Sequence, residues 1–488
     1  MKHSQFLSSG ALALLCAFTL SAHAEPNTSL ENPERIQLKK MELQVPAADY
    51  VPYAGASAAV RQAFAKGFVP AVGSGLAFQG KAADGSLTFL SITDRGPNGD
   101  GPKVQRGDKT LDSKIFSTPD FSPAIATITV KNDQARVTAL RPIRSGDGTA
   151  ITGLPIAQGV GSSGEIALDD NLRPLRYDAN GMDTESIVID GKNTLWISDE
   201  YGPFIAKLDA KTGKILKKYA PGTQPTDLPI ILSKRRPNRG MEGLALDRSS
   251  GLIHGFLQSP LSGGKVDLAG KSESVHNYAP FVRWLTFNPK TESSKLYAYP
   301  LNAADYKGGK TGNTKLGDLV ALGQNRFITI EQGSGADGKV FNWLMLVEIP
   351  QNASEITTAG VELEKSSILQ KPVDGADYSR IVPLKKTLLL NLNQLDWSAE
   401  KAEGLALVDN QTLALVNDND FGLRTAVFDN SGKEIKADIT ECTANEQGAS
   451  QGDCVDKKVQ VVPAKAADLA QNFWLIRFPK ALNQYTVR

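Results

Sequence analysis

The sequence predicts an all-β chain folded as a β-propeller, because one hairpin grammar recurs along it. The clearest copy runs Thr184-Glu185-Ser186-Ile187-Val188-Ile189-Asp190, then Gly191-Lys192-Asn193, then Thr194-Leu195-Trp196-Ile197-Ser198-Asp199-Glu200. Two apolar, β-rich runs around a tight polar turn are a hairpin signal. Further copies open at Ser74-Gly75-Leu76-Ala77, Glu242-Gly243-Leu244-Ala245, Asp318-Leu319-Val320-Ala321 and Glu403-Gly404-Leu405-Ala406. Each leads to a second apolar run that ends in acidic or amide residues. Five hairpins of one design indicate a repeat fold in which each blade adds its own core layer. The gap from Ser74 to Glu185 leaves room for a blade whose motif has decayed, so six blades are expected, with seven as the alternative.

Taken in order, residues 1–24 read as a secretory signal peptide. Lys2 gives a positive start, residues 11–20 are apolar, and Ala22-His23-Ala24 is a small-x-small cleavage site. Leu15 stands before Cys16, where a lipoprotein signal wants a small residue, so no lipid anchor is expected. A periplasmic or secreted protein without a membrane anchor follows. Residues 25–66 form a leader, in which 35–43 alternate like an edge strand and 56–66 suit a short helix. Residues 67–488 are expected to form the single propeller domain. Residues 121–144 alternate as outer strands, and 151–177 are a glycine-rich loop. Residues 205–216 read as an outer hairpin with an Asp-x-x-Thr-Gly-Lys turn. Outer strands are also expected at 283–289 with 296–299, at 343–349 and at 425–433. The terminal strand 472–478 is expected to close the ring.

Three cysteines occur, and loss of the signal peptide leaves Cys442 and Cys454. An even pair in an oxidising compartment reads as one disulfide. The formal charge of +1 argues against nucleic acid or an anionic membrane as partner. A small anionic or ester ligand and a monomeric chain are the expectation.

The chemistry follows from the propeller geometry. The start of each innermost strand and the loop after the second strand share one face. That places Glu185, Glu242, Asp318 and Glu403 around one channel mouth, with Asp94, Asp199, Glu200, Glu331, Asn417, Asp418 and Asp420 from the second-strand loops. The expected metal ligands among them are Glu185, Asp199, Glu200, Glu242, Glu331, Glu403, Asp418 and Asp94. These are hard oxygen donors, and they suit Ca²⁺. The mature chain holds only His254 and His276 and no Cys-x-x-Cys, which argues against zinc. Acidic residues after strands are also ordinary turn formers, which accounts for Asp190, Asp247 and Asp429. Glu at a strand start is not explained that way. The basic run Lys234-Arg235-Arg236-Pro237-Asn238-Arg239 precedes Glu242 and offers guanidinium groups for an anionic substrate. Arg95, in the oxygen-rich loop 94–101, joins Arg235 and Arg236 as a substrate-binding candidate. Glu185, Glu242, Arg239 and Glu403 are the catalytic candidates. No Gly-x-Ser-x-Gly elbow occurs, and no serine triad is assigned.

At these residues the chain resembles the phytase-like family described by esterase-like activity. The matching motifs are Ser-Gly-Leu-Ala-Phe with Thr-Asp-Arg-Gly-Pro-Asn, Glu-Ser-Ile-Val with Ser-Asp-Glu-Tyr-Gly-Pro, Arg-Gly-Met-Glu-Gly-Leu-Ala, and Glu-Gly-Leu-Ala with Asn-Asp-Asn-Asp-Phe-Gly. The resemblance spans roughly residues 67–478. It implies an exported bacterial β-propeller hydrolase cleaving phosphoesters or carboxylic esters. The other reading is a non-catalytic periplasmic propeller that binds a ligand or protein and uses Ca²⁺ structurally.

Overall fold

The recurrent apolar runs become the inner strands of five antiparallel four-stranded blades. The computed structural model describes residues 29–157, 159, 162, 164–451 and 454–488. The expected signal peptide and its cleavage after Ala24 lie outside the described residues. Blade 1 comprises Gly75–Lys81, Leu87–Ile92, Ala124–Lys131 and Gln134–Pro142. Blade 2 comprises Thr184–Asp190, Thr194–Asp199, Phe204–Asp209 and Ile215–Tyr219. Blade 3 comprises Met241–Asp247, Leu252–Leu257, Phe281–Asn288 and Ser293–Pro300. Blade 4 comprises Thr314–Gly323, Arg326–Ser334, Val340–Glu348 and Lys385–Asn391.

Blade 5 joins the two ends of the chain. Gly404–Leu407, Thr412–Val416 and Asn472–Arg477 are completed by Gln37–Gln44, which runs antiparallel to the terminal strand. The terminal strand thus helps to close the ring, but as third strand. The outermost place belongs to the leader, which is therefore part of the propeller. Leu43 and Gln44 also run parallel to Ala135 and Arg136, welding blade 5 to blade 1. The short helix of the leader forms at Ala58–Ala63, with Ser57 capping it.

Blades pack face to face, which explains why their strands are apolar almost without interruption. Successive side chains of a strand serve different layers. Leu195 and Ile197 join the layer against blade 1, whereas Trp196 packs with Tyr219 and Phe287 in the layer against blade 3. Similar layers join blade 4 to blade 5 and blade 5 to blade 1.

The inner strands adjoin in the order 1, 2, 3, 4, 5 and back to 1, so the ring is complete with five blades. This corrects the expected six, with seven as alternative. The long interval before Glu185 holds the outer strands of blade 1 and then short strands of a cap. Asn98–Asp100, Ser113–Phe116 and Ile166–Leu168 make one cap sheet. Lys103–Arg106 and Lys109–Leu111 pair instead with Thr443–Asn445 from the insertion in blade 5. Strands of three or four residues tied to one another have no inner edge to offer the axis. Residues 425–433 likewise belong to this cap, since Leu423–Phe428 pairs with Lys458–Pro463 and not with a blade. The Cys442–Cys454 disulfide lies in the same insertion, with Cα atoms 5.3 Å apart.

One carboxylate gathers the inner strands at the axis. Asp318 Oδ1 accepts from Ser186 Oγ at 2.7 Å and from Leu319 N at 2.9 Å. Its Oδ2 accepts from Leu76 N and Leu405 N, each at 3.2 Å. Leu244 N in turn donates to Ser186 Oγ at 3.0 Å. All five blades are thereby linked through two side chains. Gly75, Gly243 and Gly404 hold the equivalent places, where no other side chain fits. A Cβ on Gly75 would lie 2.6 Å from Ser186 Cα, and one on Gly243 would lie 2.7 Å from Gly317 O.

Asp318→Asn turns an acceptor into a donor facing two backbone N–H groups. Each buried donor left without an acceptor costs about 1–3 kcal/mol. The variant is expected to unfold at a clearly lower urea concentration, with a loss of about 2–5 kcal/mol. Ser186→Ala should lose less.

Candidate active site at the channel mouth

Three inner strands are bulged where they reach the mouth, between Thr184 and Ile187, Met241 and Leu244, and Leu316 and Leu319. A bulge lets two consecutive side chains leave the ladder. In blades 2 and 3 the first is Glu185 or Glu242 and the second is the small axial residue. Glu403 precedes Gly404 in the same way. In blade 4 the acid occupies the second place, because Gly317 precedes Asp318. Asp318 therefore points to the axis and does not join the mouth, which corrects its expected position. In blade 1 the first place is Ser74.

The mouth is a cavity of about 460 Å³ whose lining includes nine carboxylate side chains and six basic ones. Two acid triads stand out, each with carboxylate oxygens within 4.8 Å of one another. The first is Asp183, Glu185 and Glu200, all buried. Neither carboxylate oxygen of Asp183 accepts a hydrogen bond, nor does Glu200 Oε1. The nearest counter-charge is Arg95, 3.3 Å from Asp183 and 2.9 Å from Glu165. Burial pushes Asp183 far above the usual carboxylate range, against the pull of Arg95. Burial and the neighbouring Glu242 do the same to Glu185, and burial with Glu200 raises Glu242.

The second triad is Asp94, Asp418 and Asp420. Lys401 Nζ lies 2.8 Å from Asp418, 2.7 Å from Asp420 and 3.9 Å from Glu403. Burial and Asp418 push Asp94 up to about 7. Burial also lifts Glu403 to about 8, although Lys401 opposes it.

The remaining predicted residues divide by position. Arg239 reaches the cavity and hydrogen-bonds Gln258, which donates to Glu242 Oε2 at 3.1 Å. Arg95 lines the cavity but is buried against acids, so its charge is already matched. Arg235 lies outside it and spends its guanidinium on the carbonyls of Glu200 and Tyr201, holding the loop that carries Glu200. Arg236 bonds the carbonyl of Gly312 at 2.9 Å, also outside. Asp199 accepts from the backbone of Asp183, Tyr201 and Gly202 and shapes the loop. Burial leaves it at about 6.

Glu331 is away from the mouth and hydrogen-bonded to Tyr299, Tyr306 and Lys386. The second strand of blade 4 runs on to Ser334, so Glu331 sits inside a strand and not in the loop after it. Asp190 accepts from Trp196 Nε1, and Asp247 and Asp429 close turns with nearby serines, in keeping with the turn-former reading.

The ligand and binding sets read from sequence lacked Asp183, Asp420, Lys315 and Lys401. A signal for the lysines was present. Arg239, Lys315 and Lys401 each stand two or three residues before the residue that opens the mouth or axial position of blades 3, 4 and 5. All three line the cavity.

The donor set fits calcium. The open triad is made of hard carboxylate oxygens, buried and short of partners. His254 is enclosed in blade 3 beside Trp284 and Thr286, and neither histidine lines the cavity.

The family "Phytase-like", described as esterase-like activity of phytase, matches residues 72–421. The chain belongs to this family. No curated protein matches the sequence. The solved structures it is similar to include the NanB sialidase from Streptococcus pneumoniae, at TM-score 0.32 and 9% identity, covering 86% of this chain and 57% of that one. The α-L-arabinofuranosidase PaAbf62A from Podospora anserina gives TM-score 0.33 and 8% identity, covering 90% and 97%. A GH43_1 enzyme from Xanthomonas citri gives TM-score 0.31 and 10% identity, covering 85% and 96%. At these scores the structural likenesses carry no argument about chemistry.

Arg95→Met withdraws one guanidinium from two buried carboxylates of this phytase-like mouth. Removing one partner of a buried ion pair costs about 3–5 kcal/mol. A loss of that size in urea unfolding is expected, and Arg95→Lys should recover only part of it, since Arg95 also reaches Asn238.

Proposed function

We propose that the chain is an exported, calcium-dependent hydrolase of small phosphoesters or carboxylic esters, with the channel mouth as its active site. One observation supports this most: both oxygens of buried Asp183 and one of Glu200 accept no hydrogen bond, in a cavity that Arg239 and Lys315 also line. Asp183, Glu185 and Glu200 would hold the ion, with Glu242 beside them. Calcium, when bound, offsets the crowded negative charge and polarises an oxygen of the substrate. Arg239 and Lys315 face the same space and bind the anionic end of the substrate. Gln258 fixes Arg239 relative to Glu242, so the distance between anion-binding group and acid is set by the fold. Glu403, which lines the cavity, orients the attacking water and takes its proton, with buried Glu242 behind it, bonded to Gln258. The walls of blades 1 and 5 and the cap confine that water.

The pH dependence follows from the raised carboxyls. A carboxyl whose pKa is higher in the folded state stabilises the fold below its unfolded value, and that stability is lost as pH rises through the folded value. For Asp94 at about 7 and Glu403 at about 8, the loss runs from about pH 4 to about pH 8. In EDTA the melting temperature should fall across that window. Calcium competes with those protons, so millimolar Ca²⁺ should raise it more at pH 8 than at pH 5. Binding to the native state at a hundredfold excess over Kd adds about 2.7 kcal/mol. A melting curve indifferent to both EDTA and Ca²⁺ would refute the calcium reading.

Activity is tested with p-nitrophenyl phosphate and p-nitrophenyl acetate. The Glu185→Gln/Glu242→Gln variant should lose calcium affinity and at least about tenfold of kcat together. Arg239→Ala should raise KM for the phosphate and leave calcium affinity unchanged. Full activity in the double Glu variant would move the chemistry away from the mouth.

A further inference from the structure

The two acid triads of the mouth differ in what neutralises them. In the first, oxygens of Asp183 and Glu200 have no hydrogen-bond donor, and Arg95 is shared with Glu165. In the second, an ammonium already stands against two of the three acids. Lys401 Nζ lies 2.8 Å from Asp418 and 2.7 Å from Asp420, with Glu403 at 3.9 Å. Lys401 is part of the chain, three residues ahead of the strand Gly404–Leu407, so this charge cannot diffuse away.

We propose that Lys401 is a built-in cation filling the second triad, so that the mouth takes one exchangeable divalent ion, at Asp183, Glu185 and Glu200, and keeps one permanent charge beside it. The count of one ion rests on the calcium reading above; the role of Lys401 does not. Three carboxylates gathered within 4.8 Å repel one another unless a positive charge stands among them. An ammonium supplies that charge through N–H donors at hydrogen-bond distance and needs no dehydrated metal. Glu403 connects the two halves, because it feels Lys401 on one side and acts on Glu242 and Glu185 on the other. Chelation would then empty only the first position, and the second would stay charged in the calcium-free protein.

Neutralising Lys401 should convert its triad into a second calcium site. Calcium binding to the full chain is counted by titration calorimetry and by elemental analysis after gel filtration. One Ca²⁺ is expected for the wild type and two for Lys401→Gln, the added site with a Kd of roughly 10⁻⁴–10⁻³ M, as in extracellular calcium modules. The Lys401→Gln protein should also melt lower than wild type without calcium and recover when millimolar Ca²⁺ is added. Lys401→Arg keeps the charge and should keep the wild-type count. The same count in wild type and Lys401→Gln, or two ions in the wild type, overturns the proposal. No ion in the wild type but one in Lys401→Gln upholds the role of Lys401 and sinks the calcium reading of the first triad. If Lys401→Gln does not fold, Asp420→Asn decides. Its calcium count should equal that of the wild type, and loss of an ion there overturns the proposal.

Discussion

The Asp318 carboxylate at the axis is the interaction on which the ring depends. Four donors from blades 1, 2, 4 and 5 converge on it, and Ser186 passes the connection to blade 3. Burial pushes this carboxyl up to about 7 against the pull of its donors. Such a hub works only if neighbouring inner strands come close, and the glycines at the equivalent positions permit that approach. Five strands meeting at one carboxylate leave little open channel at that level. The hub therefore divides the axial space into the polar mouth and a second cavity of about 520 Å³ lined by inner strands of all five blades.

That one-residue step separates structure from chemistry in the repeat. Glu185, Glu242 and Glu403 stand one place ahead of the axial residues Ser186, Gly243 and Gly404. The mouth gathers acids that burial and mutual repulsion disfavour, and the apolar layers between blades must outweigh that cost. They are able to because aromatic side chains such as Trp196, Trp284 and Phe287 are fully buried there. Removing one such side chain costs about 3–5 kcal/mol, the same order as breaking a buried ion pair. A few well-packed layers thus balance a crowded mouth.

Much of the fold was legible in the sequence, because near-continuous apolar runs between polar turns report directly on strands packed from both sides. All five hairpins named from the sequence are the inner pairs of the five blades. The sixth blade was inferred from a gap, and a gap does not distinguish a blade from an insertion. The cap strands around Val104 and Ile115 look like any short strands, and their partners lie hundreds of residues away at Thr443–Asn445 or across the loop at Ile166–Leu168. The mouth was legible where a residue type contradicts its local role, as Glu does at a strand start. It was illegible where strand length decides, as with Glu331, or where a cation is consumed by backbone carbonyls, as with Arg235. Only tertiary contacts reveal which charges remain to be matched.

The charges that remain are unevenly distributed around the mouth. Blades 1 and 2 contribute Asp94, Asp183, Glu185 and Glu200, with Arg95 already enclosed by acids. Blades 3 and 4 contribute Arg239, Gln258 and Lys315. Lys315 loses basicity, first through burial and then through repulsion from Arg239 and Lys401. Cations that repel one another on one wall, facing carboxylates that repel one another on the opposite wall, make a strong field across a cavity of about 460 Å³. Neither wall relieves the other by direct contact: Arg239 meets Glu242 only through Gln258, and Lys315 is 3.5 Å from the more exposed Glu400. A ligand with an anionic end, entering together with a cation, relieves both walls at once. That is the electrostatic shape the five-bladed ring leaves at its mouth.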